Sequence, residues 1–199
     1  MRVDRVDGAD VPGPPREATA ADRDRVVDTV VTAFRADPAF RFFFPDESTY
    51  DRQAAAFAGH LFDRRVGRGT VWVLADGAAV TMWDPPGDDP ADSVSTMDLS
   101  PDAKARLENF DTVVGAALPP GPFWYLGVVA THPRHAGRRL GRSLMAVGLE
   151  RAAADGLPAY LETANPRNVD RYAGVGWEVV ASVDAGLPVW IMRHAGSSG

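Results

Sequence analysis

The sequence predicts a mixed α/β sheet with both faces covered by helices, in a single domain. Three observations carry this. An aromatic and β-branched run at 123–130 leads through a glycine-bearing turn into an apolar, Ala-rich segment ending near Ala154, which reads as strand, turn and helix. Two short apolar runs, 71–75 and 78–83, flank Asp76-Gly77, the strongest hairpin signal in the chain. The remaining patterns mix helical and strand periods, without an internal repeat or a linker long enough to divide 199 residues into two domains.

In chain order, residues 1–15 hold Gly8, Pro12, Gly13, Pro14 and Pro15 with few large apolar groups, and are expected to form a flexible leader. The domain is read over 16–194, and a short first strand is allowed around 17–19. Thr19, with Asp22 three residues on, makes a weak capping box. Val26, Val27, Val30, Val31 and Phe34 then share one helical face, and their β-branching means that packing must hold this helix. The aromatic stretch PAFRFFFP at 38–45 reads either as a buried connector or as the wall of a ligand pocket. Ala54, Phe57, Ala58, Leu61 and Phe62 form a second amphipathic face, and the hairpin follows.

Residues 84–101 read as a Pro/Gly/Asp-rich solvent loop. Ser100-Pro101 starts a third helix, with Leu107, Phe110, Val113, Val114 and Leu118 on its face. The Pro- and Gly-rich run 119–122 stops it. Beyond the central strand, turn and helix come a strand at 159–163, one or two helical turns at 166–173, and a closing antiparallel pair at 177–183 and 188–192. Residues 195–199 are expected to be a loose tail.

Composition narrows the function. No cysteine is present, which excludes disulfides, thiolate zinc sites and cysteine nucleophiles. His60, His132, His135 and His194 have no spacing that implies a metal. A net charge of −6 argues against nucleic-acid binding and suits a cationic small molecule. No apolar run approaches the roughly 20 residues of a membrane span, and the start of the chain lacks the apolar stretch of a signal peptide, so a cytoplasmic location is expected.

The turn at 133–141 carries the chemistry. Pro133 ends the strand, and Gly137 and Gly141 precede a helix N-terminus, where unpaired N–H groups and the helix dipole favour an anion. Arg138, Arg139 and Arg142 add cationic forks suited to phosphate. The bare alternative is an ordinary connection.

At these residues the chain resembles the GCN5-related N-acetyltransferase (GNAT) superfamily, and within it the puromycin N-acetyltransferases. The likeness is carried by VWVLADGAAVTMW at 71–83, FWYLGVVATHPRHAGRRLG at 123–141, GLPAYLETANPRNVDRYAGVGWEVV at 156–180 and the PVWIMRH ending. It extends in shape to AFRADPAFRFFFPD and covers most of the chain from about residue 16. The resemblance implies a mostly antiparallel central sheet with a splay between its fourth and fifth strands, and acetyl-CoA as donor. The family's Q/R-x-x-G-x-G/A pyrophosphate turn maps onto Ala136, Gly137, Arg138, Arg139, Leu140 and Gly141, with Arg142 beside it. This chain departs from the pattern at Ala136 and at Arg139, where the family has glycine. A left-handed backbone at Arg139 would carry about 1 kcal/mol of strain, against roughly 1.5–3 kcal/mol for a charge-assisted bond to phosphate.

By the same resemblance Val129 and Thr131 offer main-chain groups to pantetheine, Asn165 and Asn168 lie on the cofactor side, and Tyr172 protonates the departing thiolate. Tyr172 read without the resemblance is a packing residue. Glu162, bracketed by apolar neighbours in a short strand, is the candidate base, because a buried carboxylate is costly unless satisfied or used. Its alternatives are a solvent-facing Glu or one that only orients an ammonium. Asp46 and Asp84 follow segments that could edge the acceptor cleft, and their plain reading is as loop carboxylates. Phe34, Phe42, Phe43, Phe44, Phe57, Trp83 and Trp124 are the candidate walls of the acceptor site. The expected function is acetylation of a small-molecule amine, with an aminonucleoside-like antibiotic as the implied class and a homodimer as the implied assembly. The alternatives are a non-catalytic acyl-CoA-binding module and an enzyme acting on protein N-termini or lysines.

Overall fold

The computed structural model describes residues 13–87 and 94–195. Most of the leader and of the tail, and the middle of the 84–101 loop, lie outside the described residues. Seven strands form one sheet in the order β1 (Arg16–Glu17), β2 (Val71–Leu74), β3 (Ala79–Asp84), β4 (Trp124–Thr131), β5 (Ala159–Thr163), β7 (Pro188–His194), β6 (Trp177–Asp184). Every neighbouring pair is antiparallel except β4 and β5. Helices α1 (Arg23–Ala33), α2 (Pro38–Phe43), α3 (Glu47–Val66) and α4 (Pro101–Ala117) pack on one face. Helices α5 (Leu140–Ala154) and α6 (Pro166–Ala173) pack on the other. Among the described residues no helix is long and apolar enough to cross a membrane.

Local chemistry explains where these elements begin. Three helices start on the same device, a polar cap followed by proline. Asp37-Pro38 opens α2, Ser100-Pro101 opens α4 and Asn165-Pro166 opens α6, each cap accepting a main-chain N–H of the first turn. The aromatic stretch is therefore helical over 38–43, and Phe40, Phe43 and Phe44 are buried in it as a connector would be. The hairpin turns as expected at Asp76-Gly77, where Ala75, Asp76 and Gly77 all have positive φ.

The parallel pair β4–β5 is held by two registered positions only, Trp124↔Ala159 and Tyr125↔Tyr160, after which the strands part. Immediately beyond, β4 carries a bulge. Leu126 pairs with Trp83 and Val128 with Met82, leaving Gly127 unpaired. The bulge reverses which side each residue faces. Before it, Trp124 and Leu126 belong to the core under α5; after it, Val128 and Ala130 belong to the core under α1–α4. It also turns the main chain. The Trp124 N–H bonds Pro158 O on the β5 side at 3.0 Å, whereas the His132 N–H bonds Ala78 O on the β3 side at 2.8 Å. Strand alternation then leaves the main-chain groups of Val129 and Thr131 facing the gap between β4 and β5.

The core under α5 is built on Trp83, which is fully buried and lies edge-on to Trp124, their ring centroids 6.4 Å apart. Gly148 of α5 lets the helix settle onto that ring, since a Cβ there would fall inside the indole. Gly148→Ala should therefore lower stability by about 1–3 kcal/mol through overpacking, although alanine is the better helix former by roughly 1 kcal/mol. Urea unfolding measures this; an unchanged or raised midpoint would show that Trp83 does not rest there.

Candidate active site

The gap between β4 and β5 opens into a cavity of about 440 Å³. Tyr125 and Glu162 line it from the face under α1–α4, while Val129, Leu161 and Tyr172 line it from the face under α5 and α6. The cavity therefore passes through the sheet at the fork. Of the residues singled out in the sequence, Glu162, Tyr172, Val129, Asn168, Asp84, Phe34, Phe43 and Phe57 meet here.

Glu162 follows Tyr160 by two positions on β5 and so projects to the same face. Its carboxylate accepts a hydrogen bond from the Tyr125 hydroxyl. Burial, opposed by that bond, pushes its pKa from 4.5 up to about 7. Tyr172 reaches the cavity from α6 and leans on Trp177, ring centroids 6.2 Å apart. Burial raises its pKa, and the charge of Glu162 raises it further, so the two groups feel one another. Tyr172 is thus both a packing residue and a cavity group.

Asp84 is not a loop carboxylate. It ends β3, only 4 % exposed, and its two oxygens take Arg64 Nη2 at 2.6 Å and Arg65 Nη2 at 2.5 Å. The Gly127 bulge sits against this group, where a Cβ would come within 3.1 Å of Arg65 Nη2. Asp37 and Asp111 also line the cavity, and burial raises the Asp37 pKa. The lining thus combines acidic groups with a phenylalanine wall of Phe34, Phe40, Phe43, Phe57 and Phe110, in which Phe43 and Phe110 meet edge-on at 5.1 Å. Asp46, by contrast, caps α3.

Four expected wall residues are elsewhere. Trp83 and Trp124 face α5, because the side-chain alternation puts them on the opposite side of the sheet. The Trp124 indole N–H is donated to Asp155 at 2.8 Å. Phe44 is fully buried among Phe40, Tyr50 and Phe57. Phe42 covers the β6–β7 turn, where a Cβ on Gly186 would touch its ring at 2.6 Å. Tyr125, Arg65, Asp37 and Asp111 were not singled out in the sequence. A mid-strand glycine, Gly127, was the available signal for a bulge beside a site.

The 136–142 turn stands just past the end of β4. Gly141 brings α5 onto the strand, since a Cβ there would lie 3.1 Å from Val129 Cγ1 and 3.5 Å from Thr131 Oγ1. Gly137 has φ +81° in open space. Arg139 holds the left-handed backbone itself, with φ 60° and ψ 20°, at the N-cap of α5. Its side chain is exposed, as are those of Ala136, Arg138 and Arg142, whereas Leu140 is buried. Ser143 N–H bonds Arg139 O at 3.2 Å, so the N–H groups of Leu140, Gly141 and Arg142 lie at the open helix end. Arginine thus takes the left-handed backbone in the position where the resemblance has glycine. Asn165 caps α6 through its side-chain oxygen, and Asn168 accepts from Arg171 at 3.3 Å.

Residues 95–177 match the model of the acetyltransferase (GNAT) family. Among solved structures, the chain is similar to a protein described as histone acetyltransferase HPA2 and related acetyltransferase from Corynebacterium glutamicum, with 22 % identity over 95 % of this chain and 99 % of that one, TM-score 0.67. It is also similar to the C-terminal condensation domain of Ebony in complex with β-alanyl-dopamine, with 10 % identity over 92 % and 98 %, TM-score 0.69. A third is the PaiA N-acetyltransferase from Thermoplasma acidophilum in complex with coenzyme A, with 10 % identity over 92 % and 98 %, TM-score 0.60. At these identities the likeness is one of fold. The chain has the GNAT fold and bears the family's sequence pattern over its central and later segments.

Two outcomes follow for stability. Arg139→Gly should match or exceed the wild type by up to about 1 kcal/mol, whereas Arg139→Val should lose about 1–2 kcal/mol, because β-branching is least tolerated in the left-handed region. Equal urea midpoints for the two variants would contradict the left-handed assignment. For Glu162, the native state keeps its proton to higher pH than the unfolded chain. The stability this group contributes is thus complete below pH 4.5 and is lost as pH rises through about 7. Glu162→Gln should accordingly gain in Tm relative to wild type between pH 4.5 and pH 8, read by thermal melts at both values.

Proposed function

We propose that this chain is an acetyl-CoA-dependent N-acetyltransferase of the GNAT superfamily, acting in the cytoplasm on a small-molecule amine with an aromatic or apolar body. The observation that carries the reading is the fork itself. One cavity brings a carboxylate, Glu162, and a phenol, Tyr172, to the gap where β4 exposes its main chain, next to an open helix N-terminus. The coenzyme A complex of the PaiA N-acetyltransferase, which shares this fold, supports the choice of donor. The acidic and phenylalanine lining supports a cationic aromatic acceptor, and an aminonucleoside-like antibiotic is the class implied by the sequence resemblance.

The residues fit the donor. The N–H groups of Leu140, Gly141 and Arg142 would receive its pyrophosphate, with the side chains of Arg138 and Arg142 at the rim. Main-chain groups of Val129 and Thr131 would hold the pantetheine. Acetyl-CoA, when bound, supplies the activated acyl group as a thioester. Glu162, with its pKa near neutrality, takes a proton from the acceptor ammonium at a carboxylate oxygen. Tyr172 keeps its Oη proton at all physiological pH and holds it for the leaving sulfur. Protonation of Glu162 removes the negative charge that raises the Tyr172 pKa, so Tyr172 becomes the better acid once the amine has been deprotonated. The fork holds both groups to one space, and positioning supplies much of the rate.

The test is thiol release from acetyl-CoA over a panel of amines that includes aminonucleosides, arylalkylamines and polyamines. With an accepted amine, Tyr172→Phe should lower kcat at least tenfold while changing CoA affinity by less than about threefold. Activity should rise with pH through about 7 and lose that limb in Glu162→Gln. Calorimetric CoA binding without turnover of any amine would favour the non-catalytic module instead.

A further inference from the structure

Tyr125 occupies the last registered position before β4 and β5 part, directly opposite Tyr160. Glu162 lies two residues on along β5, on the same face. The phenol therefore reaches diagonally along the opening fork and donates to Glu162 Oε2. Its position is set by the Gly127 bulge: one residue earlier the alternation directs Trp124 to the α5 side, and after the bulge the open side of β4 carries Val129. Tyr125 is thus the β4 side chain that the fold aims at the carboxylate.

We propose that Tyr125 is a positioning residue for the base of the reaction: its hydroxyl fixes the Glu162 carboxylate at the fork, facing the cavity. This rests on the reading of Glu162 as base given above.

The surroundings of Glu162 make the bond matter. From α4, Asp111 opposes its ionisation, and from α3, Arg65 favours it. Arg65 is itself committed to Asp84 of β3 at 2.5 Å. From α6 comes Tyr172, which donates no charge, and Asp37 at the start of α2 acts on Tyr172. On β5 itself, Tyr160 is packed against Phe123, centroids 5.1 Å apart. On β7, Ile191 opposes Glu162, and Arg193 is engaged by Glu178 at 3.7 Å. Its own main-chain N–H also favours the ionised form. Tyr125 is therefore the side chain that hydrogen-bonds the ionised form, and its bond lowers the Glu162 pKa against the effect of burial. Removing it must move the titration upward.

The experiment uses Tyr125→Phe in the full chain, which keeps the ring and removes the hydroxyl. Carboxyl-¹³C glutamate NMR, with the Glu162 signal identified by its absence from Glu162→Gln, should show the midpoint rising by about one unit. The acid limb of kcat should move upward by the same amount. Turnover would then fall about tenfold at pH 6.5 and return to within about twofold of wild type at pH 9. A merely structural strap would reduce activity alike at every pH. Replacing Tyr125 by 3-fluorotyrosine, a stronger donor, should move the limb downward, which tests the idea even where Tyr125→Phe folds poorly. An unmoved Glu162 midpoint, or a loss equal across pH, overturns the role of Tyr125. If Glu162→Gln keeps the wild-type limb, the base assignment fails and this proposal falls with it. If Glu162→Gln loses the limb and Tyr125→Phe leaves it in place, Tyr125 alone is overturned.

Discussion

Two registered positions between β4 and β5 set the architecture of the site. A parallel pair that continued would bury its main chain in ladder bonds and close the sheet. Here the pairing stops at Tyr125 and Tyr160, and the gap beyond becomes a passage from one face of the sheet to the other. Unpaired strand edges inside a protein are costly unless something occupies them. The main-chain groups of Val129 and Thr131 facing this gap are the ones we propose to be completed by the pantetheine of the donor.

The fork and the turn beyond it carry groups that would be poor choices for stability alone. Asp84 is buried between two arginines beside the Gly127 bulge. Glu162 is held where burial penalises its charge, and Arg139 occupies a left-handed conformation that glycine would hold without strain. Asp84 and Glu162 line the cavity, and Arg139 stands at the start of α5. Away from the fork stand a Trp83-centred core on one side of the sheet and a phenylalanine-rich core on the other.

Much of the scaffold was legible because its signals are local. Asp76-Gly77 specifies its hairpin through φ alone, and Ser100-Pro101 starts its helix through a cap and a fixed ring. The Glu162 and Tyr172 pair was reached from a strand context and a resemblance, and both do meet in one cavity. The walls were harder. Density of aromatics marks burial but not side, so the sequence groups Phe42 and Phe44 with Phe43 although the end of α2 turns them in different directions. Trp83 and Trp124 share a face decided by the strand alternation, which no composition reveals.

What the sequence determined by itself was the order and kind of the elements, the glycine-bearing turn at the head of α5, and the acidic, aromatic character available to the site. These depend on neighbours within a few residues, where backbone sterics and hydrogen bonds act directly. Only the tertiary structure decided that Gly127 bulges, that Tyr125 reaches Glu162, and that Asp84 is claimed by Arg64 and Arg65. Those contacts join residues 19 to 37 positions apart, and their geometry is set by where two strands stop pairing, a property of the assembled sheet and of no single segment.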